Sequence, residues 1–260
     1  MTRPDRSSAR RVGPDERAVS EVIGFALTFS IIILSVGLLT VGGFTALEDF
    51  SDGEQLQNAE RAFDALAEHG NEIQRNDGVS ERSMQIQLRD GQLGFRDGPT
   101  LAIDDGTDNL LDDELDLTLG SMAYEQSNSV IAYEGGAVVR EQGLDDFSFP
   151  VREAKLTCRS ESAHGDDVAL ITLTKIDADD SLAAGDSVRE ISMQKVESET
   201  HHTSEQVSLS IQVEDAPGPE AWDAMFERNG FDGGDGAFSC DADRATIRIT
   251  TIEIEHRGQV

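Results

Sequence analysis

Four aspartates crowd the stretch FDGGDGAFSCDAD, residues 231–243: Asp232, Asp235, Asp241 and Asp243. Their carboxylates are hard oxygen ligands and the glycines between them permit tight turning, so the chemistry within reach is calcium coordination. The spacing lacks the closing Glu of an EF-hand loop. In a chain with 51 Asp and Glu residues, the competing reading is a solvated turn. The five histidines, His69, His164, His201, His202 and His256, include no pair at the i, i+4 spacing of a zinc protease helix. No G-x-S-x-G turn, phosphate-binding loop or dinucleotide fingerprint is present. The residues supply no catalytic constellation and call for no cofactor, so an enzyme is not expected.

A second constellation lies at ERAVSEVIG, residues 16–24. Arg17, Ala18, Val19 and Glu21 stand directly before 23 residues, Val22 to Phe44, that carry no charge. As a helix this stretch rises about 34 Å, against about 30 Å of hydrocarbon in a bilayer. Secretory signals have shorter apolar regions of about 7–15 residues followed by a small-residue cleavage site; cleavage after the apolar block is the alternative assignment. Residues 1–18 hold Arg3, Arg6, Arg10, Arg11 and Arg17, whereas the far side opens with Glu48, Asp49, Asp52 and Glu54. That asymmetry places the N-terminus in the cytoplasm and the rest outside, in a single-pass cell-membrane topology. A carboxylate such as Glu21 is tolerated at the edge of the bilayer and costly deeper unless paired. The span is also rich in small residues, Gly24, Ala26, Ser30, Ser35, Gly37, Gly42 and Gly43, which let helices approach closely in lipid.

The formal net charge is −30, and Lys155, Lys175 and Lys195 are the only lysines. A nucleic-acid partner is excluded on this balance, because phosphate backbones are held by Lys/Arg patches. An Asp/Glu-rich, Lys-poor surface suits a medium of high salt, where self-repulsion is screened within a few Å. With 38% hydrophobic residues and alternating segments recurring to the end, most of the chain is expected to fold. Two cysteines, Cys158 and Cys240, are too few for a disulfide framework or a structural zinc site. Outside the cytoplasm they would form one bridge; two separate buried thiols are the alternative.

Arg17-Ala18-Val19-Ser20-Glu21-Val22-Ile23-Gly24 resembles the class III signal of archaeal type IV pilins and archaellins, particularly the haloarchaeal pilin-like proteins. The acidic composition is similar to that of halophilic archaeal proteins. The resemblance implies cutting by a prepilin peptidase between Ala18 and Val19, after a basic and a small residue, with the apolar helix retained. It further implies an anchor that becomes the core of a surface filament, built with copies of itself or other pilin-like subunits. Glu21, an assembly residue in this pattern, falls at the third mature position, where bacterial pilins have theirs at the fifth. The alternative function is a single-pass membrane protein whose acidic extracellular domain binds or senses and forms no filament.

These residues require an α+β architecture: a long N-terminal helix, transmembrane then amphipathic, followed by a mainly antiparallel β head. The expected organisation is a cytoplasmic leader over 1–18, a transmembrane helix over 19–44, an amphipathic helix over 45–78 and an extracellular β-rich head over 79–260. In the amphipathic part Leu56, Ala59, Phe63, Leu66, Ala67 and Ile73 recur at helical spacing. A break is expected near Gly42-Gly43 or Gly53, an N-cap at Asp52 and a stop at Asn76-Asp77-Gly78. SMQIQLRDGQLGF, 83–95, reads as a hairpin turning at Asp90-Gly91. Further strands are expected at 99–103, 115–119, 129–133, 136–140, 151–158, 168–176, 188–196, 206–213 and 245–256. A short helix spans 218–230, and a boundary is suggested near Pro150.

Overall fold

The computed structural model describes residues 15–257 apart from 77, 88–90, 107–109, 112–113, 144–146, 162–165, 179–182 and 185–187. The leader residues 1–14, Asp77 of the expected helix stop and Asp90 of the expected turn lie outside the described residues. The chain forms two compact units, Met1–Gly53 and Glu54–Val260. Helix α1 runs without interruption over Asp15–Arg75. The break expected near Gly42-Gly43 or Gly53 is absent from both places, and with it the need for an N-cap at Asp52. Glycines cost a helix only about 0.5–1 kcal/mol each, and even the Gly42-Gly43 pair does not outweigh the favourable turns on both sides.

The β head contains three sheets among the described residues. The first is ordered β1 (Glu81–Gln87), β12 (Val188–Thr203), β16 (Arg244–Arg257), β10 (Asp166–Ala178), β9 (Lys155–Glu161). The second is β11 (Ala183–Ala184), β2 (Gln92–Arg96), β5 (Ser121–Gln126), β6 (Ser129–Glu134), β7 (Ala137–Gln142), β8 (Phe147–Arg152). The third is β14 (Asp232–Gly234), β15 (Ala237–Ala242), β13 (Val207–Glu214), β3 (Thr100–Asp104), β4 (Leu115–Thr118). Among the described residues pairing is antiparallel except between β10 and β16, which run parallel from Val168↔Arg244 to Ala178↔Ile254.

Those two strands organise the interior. Successive strand residues point to opposite faces, and β16 uses both. Ala245, Ile247 and Ile249 enter a core shared with the third sheet and helix α2 (Pro219–Arg228). Ile252 and Ile254, of opposite parity, enter a second core with α1 and the second sheet. β10 repeats the arrangement, with Ala169, Ile171 and Leu173 in one core and Ile176 in the other.

Within the head, residues 54–75 of α1 present two stripes. Ala59, Phe63, Leu66, Ala67 and Ile73 are fully buried in the second core. Glu60, Asp64, Glu68 and Glu72, four residues apart, meet arginines: Arg140 of β7 on Glu60, Arg152 of β8 on Asp64 at 2.6 Å and Glu68 at 2.9 Å, and Arg82 of β1 on Glu72 at 2.7 Å. Arg82 holds the Glu72 carboxyl below its ordinary pKa, chiefly by hydrogen bonding. Within the apolar stripe Gly70 lets the helix sit against Tyr133; a Cβ there would come within 2.2 Å of the Tyr133 hydroxyl. Burial raises the Tyr133 pKa to about 12, so the phenol is neutral.

The expected hairpin at 83–95 does not form. β1 pairs with β12 over Glu81↔Gln194 to Gln87↔Val188, and β2 pairs with β5, so the two halves belong to different sheets. Long β12 offers β1 a seven-residue partner, more than the short return strand can. Nor is Pro150 a boundary. It lies in β8, the edge of its sheet, where the register shifts between Val138 and Val139; an edge strand tolerates the missing N–H. The β6–β7 hairpin forms as expected, and so does α2, with Pro219 in its first turn. Gly135 turns that hairpin at φ +62°, where a Cβ would stand 2.6 Å from the Trp222 ring.

This packing sets the outcome of three substitutions, each read by unfolding of the full chain in detergent. Gly70→Ala lowers stability by about 1–3 kcal/mol through overpacking against Tyr133. Gly53→Ala, where a Cβ meets nothing within 4 Å, is neutral or raises it by about 0.5–1 kcal/mol. Arg152→Met costs about 1 kcal/mol, and the loss shrinks with added salt because Asp64 and Glu68 are nearly half exposed.

Candidate functional site

The backbone at Arg17, Ala18, Val19 and Glu21 is helical; their side chains lie outside the described part of the structure. From Val22 to Gly43 the helix is long and apolar enough to cross a membrane, and none of that stretch is buried. Its large side chains stand open, from Ile32 at 53% exposure to Leu39 at 75%. Phe25 and Phe29 stack with ring centroids 6.1 Å apart. The hydroxyls are satisfied inside the helix: Thr28 donates to the Gly24 carbonyl, Ser30 to Ala26, Ser35 to Ile31 and Thr40 to Val36, at 2.7–2.9 Å. Such back-bonding leaves these side chains needing no water, as hydrocarbon requires.

Cys158 on β9 and Cys240 on β15 form a disulfide across a sequence separation of 82, tying the first sheet to the third. The same strand is clamped to α2, because the Cys158 N–H donates to the Asn229 carbonyl at 2.8 Å. Gly230 makes this approach feasible: at φ +88°, a Cβ there would lie 2.2 Å from the Cys158 carbonyl oxygen.

The aspartates of 231–243 do not converge. Asp232 lies on β14, Asp235 at the hairpin turn with φ 52°, Asp241 on β15 and Asp243 just before β16. Asp241 accepts from the Ser208 hydroxyl. Asp243 accepts the Asp167 N–H and returns its own N–H to the Asp167 carbonyl, both at 2.9 Å. Among the described residues no group of three or more His, Cys, Asp or Glu is placed to hold a metal ion. The stretch is a β hairpin, whose extended strands space the carboxylates out and turn two of them to side-chain and backbone donors. His201 and His202 are also on a strand, β12, with His202 Nδ1 3.0 Å from Thr246 Oγ1.

One buried polar group carries no signal in the sequence. Glu134, the last residue of β6, is fully buried. Its Oε1 accepts the indole N–H of Trp222 at 2.8 Å, while Oε2 has no hydrogen-bond partner. Across the ladder stands Ser121 of β5, 1% exposed, its Oγ likewise without a partner. Burial pushes the Glu134 carboxyl up, against smaller opposing effects of Trp222, Arg96 and Ser121. Arg96 of β2 is itself paired with Glu141 of β7. Beside this cluster lies a cleft of about 450 Å³ lined by Phe95, Arg96, Asp97, Gly120, Ser121, Ile176, Asp177 and Ala178. A glutamate followed by Gly135-Gly136 signals a turn; nothing in its local sequence distinguishes it from the many other acidic residues.

The chain belongs to a protein family of unknown function, DUF7289, whose model matches residues 17–257. No curated protein and no solved structure matches it.

Replacing Cys158 and Cys240 together by Ser removes the constraint on the unfolded chain, worth about 4–5 kcal/mol for a loop of this length. The expected result is a fall in Tm of roughly 10–15 °C in a thermal melt, with wild-type protein under reducing conditions moving the same way.

Proposed function

We propose that this chain is a pilin-like cell-surface protein, cut between Ala18 and Val19 by a prepilin peptidase and held in the membrane by the helix that remains. The observation that carries the reading is the uncovered apolar surface of Val22–Gly43. Each large apolar side chain left in water forgoes about 1.5–3 kcal/mol, so the helix must be covered by lipid, by other helices, or by both in turn. A detachable signal would not need to be continuous with a helix that is part of the head's core, yet α1 is. The family match beginning at Arg17 also takes in the motif and the span, which supports their belonging to the working protein.

Orientation follows from two supports. The arginines of residues 1–18 favour a cytoplasmic N-terminus. The Cys158–Cys240 bridge favours a head outside the cytoplasm, where disulfides persist. In this reading Glu21 faces the membrane edge and pairs during assembly, the partners being copies of this chain or other pilin-like subunits. The head binds no cofactor and performs no catalysis.

The test is the mature N-terminus, read by mass spectrometry of membranes from cells with and without the prepilin peptidase. A start at Val19 that vanishes without the peptidase, and a longer form accumulating when Arg17 and Ala18 are replaced, is the expected outcome. An intact N-terminus in both strains removes the pilin pathway and leaves an anchored ectodomain. A start beyond Phe44 removes the anchor as well.

A further inference from the structure

An ionised carboxylate accepts through both oxygens and donates nothing, whereas Glu134 offers one oxygen to Trp222 and leaves the other unbonded at full burial. The groups facing it are few. From α2 comes the neutral Trp222 indole; from β5, the Ser121 hydroxyl; from β2, Arg96, whose guanidinium is engaged by Glu141 of β7, itself a like charge to Glu134. Asp97 and Asp177 add carboxylates to the cleft that Ser121 lines. The one cation among these described neighbours, Arg96, gives its two terminal nitrogens to Glu141 and keeps only a partnerless Nε–H. A protonated Glu134 removes the uncompensated buried charge, and its O–H finds an acceptor in the Ser121 hydroxyl across the ladder.

We propose that Glu134 is a carboxylic acid in the folded head, its proton shared with Ser121, and that its ionisation releases α2 from the β6–β7 hairpin. On ionisation the proton leaves Oε2 by way of the Ser121 hydroxyl for a water or buffer base in the cleft, and the charge stays on Glu134. An ionised Glu134 holds the Trp222 N–H more strongly, so release comes from hydration: the buried charge draws water, and α2 is the element that must move to admit it. It is attached by Trp222 over the Gly135 turn, and by Ser148, whose hydroxyl donates to Glu220 and accepts the Ala221 N–H. The sign agrees with the upward shift that burial gives this carboxyl. A carboxyl raised in the folded state favours folding most below its unfolded pKa, about 4.3–4.5, and loses that contribution as pH rises through the folded value. The shift is upward, so the latch opens as pH rises.

Trp222 is the only tryptophan of the chain, so its emission reports on the latch. The full chain, solubilised in detergent, is titrated from about pH 5 to about pH 9 while Trp222 emission and the infrared carbonyl band of protonated carboxyls are followed. The expected result is a protonated-carboxyl band that persists at pH values where surface carboxylates are ionised. That band is lost together with a red shift of Trp222 emission as pH rises. Glu134→Gln, a neutral isostere that keeps the acceptor for Trp222 and donates to Ser121, lacks the band and shows no red shift. Absence of the band in the wild-type chain at pH about 6 overturns the proposal, and needs no variant that folds. A band that titrates while emission stays constant, or an equal red shift in Glu134→Gln, overturns the latch.

Discussion

Residues 54–75 of α1 are held between two sheets by two different forces on adjoining stripes, and the head is arranged around that seat. The apolar stripe of Phe63, Leu66 and Ile73 is buried. The acidic stripe of Glu60, Asp64, Glu68 and Glu72 draws arginines from β7, β8 and β1. In a chain with only 21 Lys and Arg against 51 Asp and Glu, placing Arg82, Arg140 and Arg152 along one helix is a large commitment. Surface ion pairs contribute little singly, but Arg140 and Glu60 are both mostly buried, and removing Arg140 strands that carboxylate. Their function is as much registry as energy: they fix which turn of the helix faces which strand.

The second dependence runs through β6. Its adjacent residues Tyr133 and Glu134 point to opposite faces, one against Gly70 of α1 and the other to Trp222 of α2. The end of one strand thus contacts both helices of the head. Sheet parity does the same on a larger scale in β10 and β16, each of which serves both cores. The disulfide joins the outermost strand of the first sheet to the third sheet at the C-terminal end of α2. It closes the core that α1 does not reach.

Much of this arrangement is legible in the amino-acid sequence. The apolar span, the buried positions Ala59, Phe63, Leu66, Ala67 and Ile73, the β6–β7 hairpin at Gly135-Gly136 and the Pro219 start of α2 all express local rules, a period or a turn residue. What is not legible is non-local. Alternation marks β1 and β2 as strands, but partner choice depends on β12 and β5, far along the chain. The same blindness hides Glu134: its type is commonplace here, and only the fold removes it from water. The Asp-rich stretch misleads in the converse way, because ligand types are present while the extended hairpin spaces them apart.

The parts of the chain call for different surroundings, and this constrains any account of what it does. The span from Val22 to Gly43 satisfies its own hydroxyls and leaves its apolar side chains open, a surface suited to hydrocarbon. The head's acidic surface needs water and counterions, and is best tolerated where salt screens self-repulsion. The bridge between Cys158 and Cys240 needs an oxidising compartment to persist. A single-pass topology with the head outside satisfies all three requirements at once, whereas a cytoplasmic head would leave the bridge exposed to reduction. Under the pilin-like function proposed above, the helix would be covered by lipid before assembly and by neighbouring helices after it. Exchange between them is cheap because both are apolar, which is the physical basis on which an anchor can become a filament core.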